Sequence, residues 1–130
     1  MNTGSKESVL NDLMTTKDIF FVQDLDGVCI PLVKDPLTRV IDPSYVIAVS
    51  NLKEEFAVLT NGEHEGRRGV NRLIESQFGK DYTKEKGLYL PGLAAGGIEY
   101  QDKYGNAKCE GLNNKEISFL KAIPQEMKEL

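Results

Sequence analysis

Apolar positions along the chain change their spacing several times, and each change predicts an element. Val9, Leu10, Leu13 and Met14 fall on one helical face after Ser5, so residues 5–14 predict a short surface helix with Ser5 as N-cap. Ile19 to Val22 is continuously apolar and predicts a buried core strand over Asp18 to Gln23. Pro31 and Pro36 then punctuate two short apolar runs, which reads as a turn-rich excursion rather than a strand. Asp42-Pro43 supplies an acidic N-cap and a proline at the first helical position, followed by an apolar face of Val46, Ile47, Val49 and Leu52. Phe56 to Leu59 predicts a second core strand. Glu65 to Phe78 predicts a helix with Val70, Leu73, Ile74 and Phe78 turned inward and Gly79 just past its end. Strand and helix in alternation predict an α/β fold with a parallel sheet. Leu88 to Leu93 and Gly97 to Tyr100 predict further strands, the second running into a hairpin turn at Asp102-Lys103-Tyr104-Gly105. Asn113 or Asn114 caps a last helix carrying Ile117, Phe119 and Leu120. Pro124 is expected to interrupt it, with a further turn from Gln125 to Leu130.

Composition narrows the class. A chain of 130 residues is one domain at most, and its 40% hydrophobic and 28% charged residues are ordinary for a globular protein. A net charge of −4 argues against non-specific nucleic-acid binding. No apolar run approaches the roughly 20 residues of a membrane span, and residues 1–16 lack the apolar segment of a secretory signal. Cys29 and Cys109 form no CxxC, and two cysteines are too few for a disulfide framework, so reduced thiols in a cytoplasmic setting are expected. The single histidine, His64, excludes a His pair within the chain.

The candidate chemistry sits where the strands end. Asp24-Leu25-Asp26-Gly27 places two carboxylates at i and i+2 just past the first strand, where open α/β sheets bind ligands. The glycine lets the backbone turn away. An EF-hand reading fails, because no further oxygen ligands and no closing Glu follow at the loop spacing. Thr60-Asn61-Gly62 ends the second strand with a hydroxyl and nearby backbone N–H groups. Both segments also read as plain turns after strands. Arg67, Arg68 and Arg72, placed at the start of the following helix, and Lys34 and Arg39 in the excursion are candidates for an anionic substrate, and equally for solvated faces. His64 near a turn is more often structural than catalytic, and Cys29 reads as packing.

Asp24-Leu25-Asp26-Gly27-Val28 resembles motif I of the haloacid dehalogenase superfamily, and Phe56-Ala57-Val58-Leu59-Thr60-Asn61-Gly62 resembles its motif II, in the same order. More narrowly, Asp35 to Pro43 and Gly62 to Arg72 are similar to the glucosylglycerol-phosphate phosphatases. The resemblance covers roughly Ile19 to Gln101. It implies a Rossmann-like, incomplete core in residues 1–101, with the start of a cap or a linking segment in 102–130. It also implies an aspartyl-phosphate mechanism, with Asp24 as nucleophile and Asp26 as acid and base. Thr60, Asn61 and Gly62 would bind phosphate. Mg²⁺ would be held through Asp24 and Asp26, the latter by its backbone carbonyl. The implied substrate is a small sugar phosphate, glucosylglycerol 3-phosphate, in osmolyte synthesis under salt stress. A trehalose- or sucrose-phosphate phosphatase and an inactive fragment or binding module remain open.

The sequence departs from the superfamily in two places. Neither the phosphate-neutralising Lys nor a late acidic pair follows Glu99. The chain therefore reads as the N-terminal part of a longer phosphatase. Such a part is expected to catalyse poorly alone, to expose an apolar sheet face and an unpaired edge, and to pair with the remainder of the enzyme or with itself.

Overall fold

The computed structural model describes residues 5–109, 111 and 113–128. Its elements are α1 (Lys6–Thr15), β1 (Phe21–Gln23), α2 (Pro43–Ser50), β2 (Phe56–Leu59), α3 (Val70–Phe78), α4 (Lys80–Lys86), β3 (Gly92–Ala94), β4 (Glu99–Gln101), β5 (Ala107–Cys109) and α5 (Asn114–Lys128). The expected α/β architecture is present. One five-stranded sheet runs in the order β1-β2-β3-β4-β5. β1, β2 and β3 are parallel, with Gln23 opposite Val58 and Leu59 opposite Leu93; β4 and β5 close the sheet antiparallel.

The strand order explains where the core sits. Both parallel crossovers step in the same direction across the sheet, so connections of one hand place their helices on one face. Val46 and Val49 of α2 and Val70, Leu73 and Ile74 of α3 accordingly bury with Phe56 and Val58 in a single core. The opposite face carries Val22, Leu59, Leu93 and Tyr100, which are 63, 50, 40 and 38% exposed. The apolar face expected of a half-covered sheet is therefore present.

Several expected elements differ. The first strand is not buried: only Phe21–Gln23 pairs, and Phe20 and Val22 are exposed, because β1 is a sheet edge with helices on one side only. The helix expected from Glu65 begins at Val70. Gly69 lies so close to the preceding loop that a Cβ would sit 2.3 Å from the His64 carbonyl oxygen. The first helical N–H groups are spent on that loop, with Val70 and Asn71 donating to the carbonyls of Glu63 and His64. Arg67 and Arg68 thus lie in a loop rather than on the helix. α4 was not expected, since its polar sequence carries no apolar stripe; buried Thr83 anchors it by donating its hydroxyl to Gly79 O at 2.7 Å. Leu88 to Leu90 are buried but irregular, and β3 starts only at Gly92.

Helix α5 runs through Pro124 instead of stopping there. Its flank is exposed, where water can serve the carbonyl that proline leaves without a donor. Asn113 caps it reciprocally with Glu116. Residues 129 and 130, the end of the turn expected there, lie outside the described residues. Ser5 caps α1, Asp42 caps α2 through the Ser44 N–H, and Asp102 holds the β4–β5 turn through Tyr104 and Asn106, all as the sequence indicates.

Candidate active site

Two turns meet at the carboxyl ends of β1 and β2. In the first, the Leu25 carbonyl accepts the N–H groups of Val28, Cys29 and Ile30, and Gly27 N–H donates to Ile30 O. Leu25 and Ile30 are each 2% exposed, so the turn is pinned into the core by both ends. That fixes Asp26 between them. In the second, Thr60 N–H donates to Leu93 O at 3.0 Å, and Ala95 N–H donates to Gly62 O at 2.7 Å. The loop is thereby tied to the middle of β3 and to the residue just past its carboxyl end.

The side chains converge on Asp26. Arg39, delivered from the excursion by a 3₁₀ turn that Asp35 caps, forms a salt bridge through NH1 with Asp26 Oδ1. Its NH2 donates to Arg68 O at 2.5 Å, and its Nε to Pro36 O at 3.3 Å. Thr60, buried, directs its hydroxyl toward Asp26 Oδ2 at 3.4 Å while accepting the Gly62 N–H at 3.1 Å. The Gly62 N–H expected for phosphate is thus already engaged by Thr60. Asp26, Arg39, Asn61, Gly62, Glu63 and Arg68 line an open cleft of about 430 Å³. Asp24 stands exposed at the end of β1; Cys29 Sγ approaches its carbonyl at 3.8 Å, and its carboxylate has no hydrogen-bond partner among the described residues.

Behind the cleft lies a polar network that sequence reasoning missed. His64 and Gln101 are fully buried and Asn71 nearly so. Gln101 and Asn71 exchange amide hydrogen bonds at 2.7 and 3.1 Å. Gln101 Nε2 also reaches Leu90 O at 3.2 Å and His64 Nδ1 at 3.3 Å. With Nδ1 facing an amide N–H and Nε2 3.2 Å from Gly92 O, the ring is neutral with its proton on Nε2. Burial pushes His64 below the ordinary histidine range, against the opposing pull of the Gly92 carbonyl and the Glu99 and Glu65 carboxylates. His64 is therefore structural: it anchors the Thr60–Gly62 loop to β4. A buried Gln in a short strand leaves no periodic signature, and no local motif marks it.

Two further features bound the site. A cavity of about 490 Å³ lined by Arg72, Glu75, Lys80, Lys84 and Tyr89 takes in Arg72, one of the candidate cations, and none of Asp24, Asp26, Thr60, Asn61 and Gly62. Among the described residues, no three His, Cys, Asp or Glu side chains come together to hold a metal ion.

The sequence model of the glucosylglycerol-phosphate phosphatase family matches residues 18–130. The chain belongs to that family. A curated relative, the glucosylglycerol-phosphate phosphatase of Synechocystis sp., is 48% identical over 116 residues. That match takes in 88% of this chain but 28% of the relative, so the chain spans little more than a quarter of that phosphatase's length. No solved structure matches. Within the family match fall both turns, the Arg39 excursion and the buried network.

Proposed function

We propose that the chain carries the nucleophilic half of a sugar-phosphate phosphatase of haloacid dehalogenase type, with glucosylglycerol 3-phosphate as substrate. The observation that carries the reading is the meeting of Asp26 with buried Thr60 at the ends of adjacent parallel strands, where Asp26, Asn61 and Gly62 line an open cleft. The family membership supports phosphate-monoester chemistry, and the cleft is open to a polyol-sized ligand.

The steps follow from the residue types. The free carboxylate of Asp24 attacks phosphorus, and the ester oxygen leaves with a proton from Asp26. Asp26, now a carboxylate, takes a proton from water, whose oxygen attacks the aspartyl-phosphate. Inorganic phosphate departs and Asp24 is restored. Thr60 orients Asp26 and offers its hydroxyl to a phosphate oxygen. A divalent cation such as Mg²⁺ would offset the repulsion between carboxylate and phosphate. Mg²⁺ commonly keeps waters and phosphate oxygens and needs only one or two protein carboxylates, a demand that exposed Asp24 fits. Asp26 would contribute its backbone carbonyl, since its side chain is engaged by Arg39.

A second reading is favoured by the share of the relative that the chain spans, 28% of its length. The chain alone would then turn over slowly, or act only when joined by the remainder of the phosphatase. Each missing electrostatic contact of this kind costs on the order of 100-fold in rate. No helix among the described residues is long and apolar enough to cross a membrane, and Cys29 and Cys109 are free thiols. We propose a cytoplasmic setting, which the free thiols support.

The test is Mg²⁺-dependent phosphate release from glucosylglycerol 3-phosphate by this chain, beside Asp24→Asn. Release that disappears in the variant supports the nucleophile. Equal release by both proteins would remove Asp24 from the mechanism.

A further inference from the structure

Arg39 is held more tightly than a surface arginine has reason to be. Its side chain is 16% exposed, and its donors meet Asp26, the Arg68 carbonyl and the Pro36 carbonyl. Asp35 caps the turn that presents it, through the Leu37 N–H at 2.9 Å. The guanidinium is therefore preset rather than recruited, at the cost of tying up Asp26, the very carboxylate that proton transfer requires free.

The chemistry of the cleft makes sense of this contact. Asp26 sits between a guanidinium on one oxygen and the Thr60 hydroxyl on the other. A guanidinium fork and a hydroxyl are also the donors a phosphate group selects. The only cationic side chains lining the cleft, among the described residues, are Arg39 and Arg68, and no lysine joins them. A phosphate dianion placed there beside Asp26 must draw its counter-charge from these arginines.

We propose that Arg39 is the phosphate-binding cation of this chain, and that the substrate's phosphate takes it over from Asp26. In the cleft Asp26 occupies the NH1 donor that the phosphate will use, while NH2 and Nε stay on the Arg68 and Pro36 carbonyls. Arrival of the phosphate transfers the guanidinium to the ligand and releases the Asp26 carboxylate from it. Arg39 is thus both a substrate-binding group and the link that makes Asp26 available only when phosphate is present. The inference rests on the phosphatase reading of the cleft.

The experiment is titration of inorganic phosphate, by calorimetry and by ³¹P resonance, into the 130-residue chain with Mg²⁺ present. Five proteins are compared: the parent, Arg39→Gln, Arg39→Lys, Asp26→Asn and the double variant of the last two, each checked for folding by circular dichroism. Arg39→Gln is expected to weaken phosphate binding at least about 10-fold, and Arg39→Lys less, since it keeps the charge and loses the fork. Asp26→Asn is expected to bind phosphate more tightly than the parent, because the competing carboxylate is gone. If the gain comes from the freed guanidinium it should be lost when Arg39→Lys is combined with Asp26→Asn, whereas relief of charge repulsion alone would persist in that double variant, and this comparison tests the idea even if Arg39→Gln fails to fold. Unchanged affinity in the Arg39 variants, no gain in Asp26→Asn, or a gain that persists in the double variant overturns the proposal and leaves the phosphatase reading standing. A parent chain that takes up no phosphate overturns both.

Discussion

Replacing Gln101 by Leu is the sharpest test of the packing behind the cleft. The side chains are close in volume, so no large cavity opens, and the change removes an amide whose oxygen serves one donor and whose two N–H groups are shared among three acceptors. Its four partners are Asn71 Oδ1, Asn71 Nδ2, Leu90 O and His64 Nδ1. A buried polar group left without its partner costs about 1–3 kcal/mol. Asn71 is 6% exposed and can recover part of that by turning toward water, whereas His64 is 0% and Leu90 1% exposed. Counting only the two that cannot recover gives a loss of about 2–6 kcal/mol. A domain has only about 5–15 kcal/mol to lose. Urea unfolding followed by circular dichroism reads the change. With a slope of about 1.5 kcal/mol per molar, the midpoint should fall by ~1.3 M or more. In a double-mutant cycle with Asn71→Ala, the coupling should exceed about 1 kcal/mol. A loss below about 1 kcal/mol would refute the reasoning, because it would mean the amide pair is not sealed from water.

Other outcomes follow from the same geometry. Gly92→Ala should cost about 3 kcal/mol or more in thermal unfolding, since its φ is +140° and the new Cβ would meet Val58 O at 2.1 Å, forcing β3 off β2; near-parent stability would contradict that register. Burial holds His64 below its usual 6.5, so the unfolded chain binds the proton more readily. The His64 contribution should be fully present above about pH 6.5 and shrink as pH falls through that value toward the folded-state one. His64→Gln should flatten the slope in unfolding free energy, and an identical slope in both proteins would remove His64 as its source. The bare sheet face should drive concentration-dependent association in sedimentation experiments, reduced in Leu93→Lys; a parent chain monomeric at all concentrations would show that the face is tolerated in water.

What could be read from the sequence divides along a physical line. Features set by neighbours in the chain were legible. Asp42-Pro43 caps and starts α2, Asp102 holds its turn, and the carboxylates and Thr60 end their strands as their spacing implies. Features set by distant neighbours were not. The salt bridge of Arg39 with Asp26 spans 13 positions, and Gln101 meets Asn71 across 30. The helix expected at Glu65 was delayed by a backbone contact between Gly69 and His64 that no propensity records. The exposure of Val22 depended on which face the crossovers would cover, which the composition of a single strand does not reveal.

The position of His64 also makes the chain report on itself. It is the sole histidine, so its ring gives one set of nitrogen and carbon resonances with nothing to overlap them. Those shifts distinguish the Nε2–H tautomer from its alternatives, and the tautomer persists only while Gly92 and Gln101 keep their places. A single spectrum therefore reads whether the Thr60–Gly62 loop is seated on β4, without any label near the cleft. Titrated with phosphate or with the remainder of the phosphatase, that one signal would separate a ligand that settles into the existing loop from one that rebuilds it.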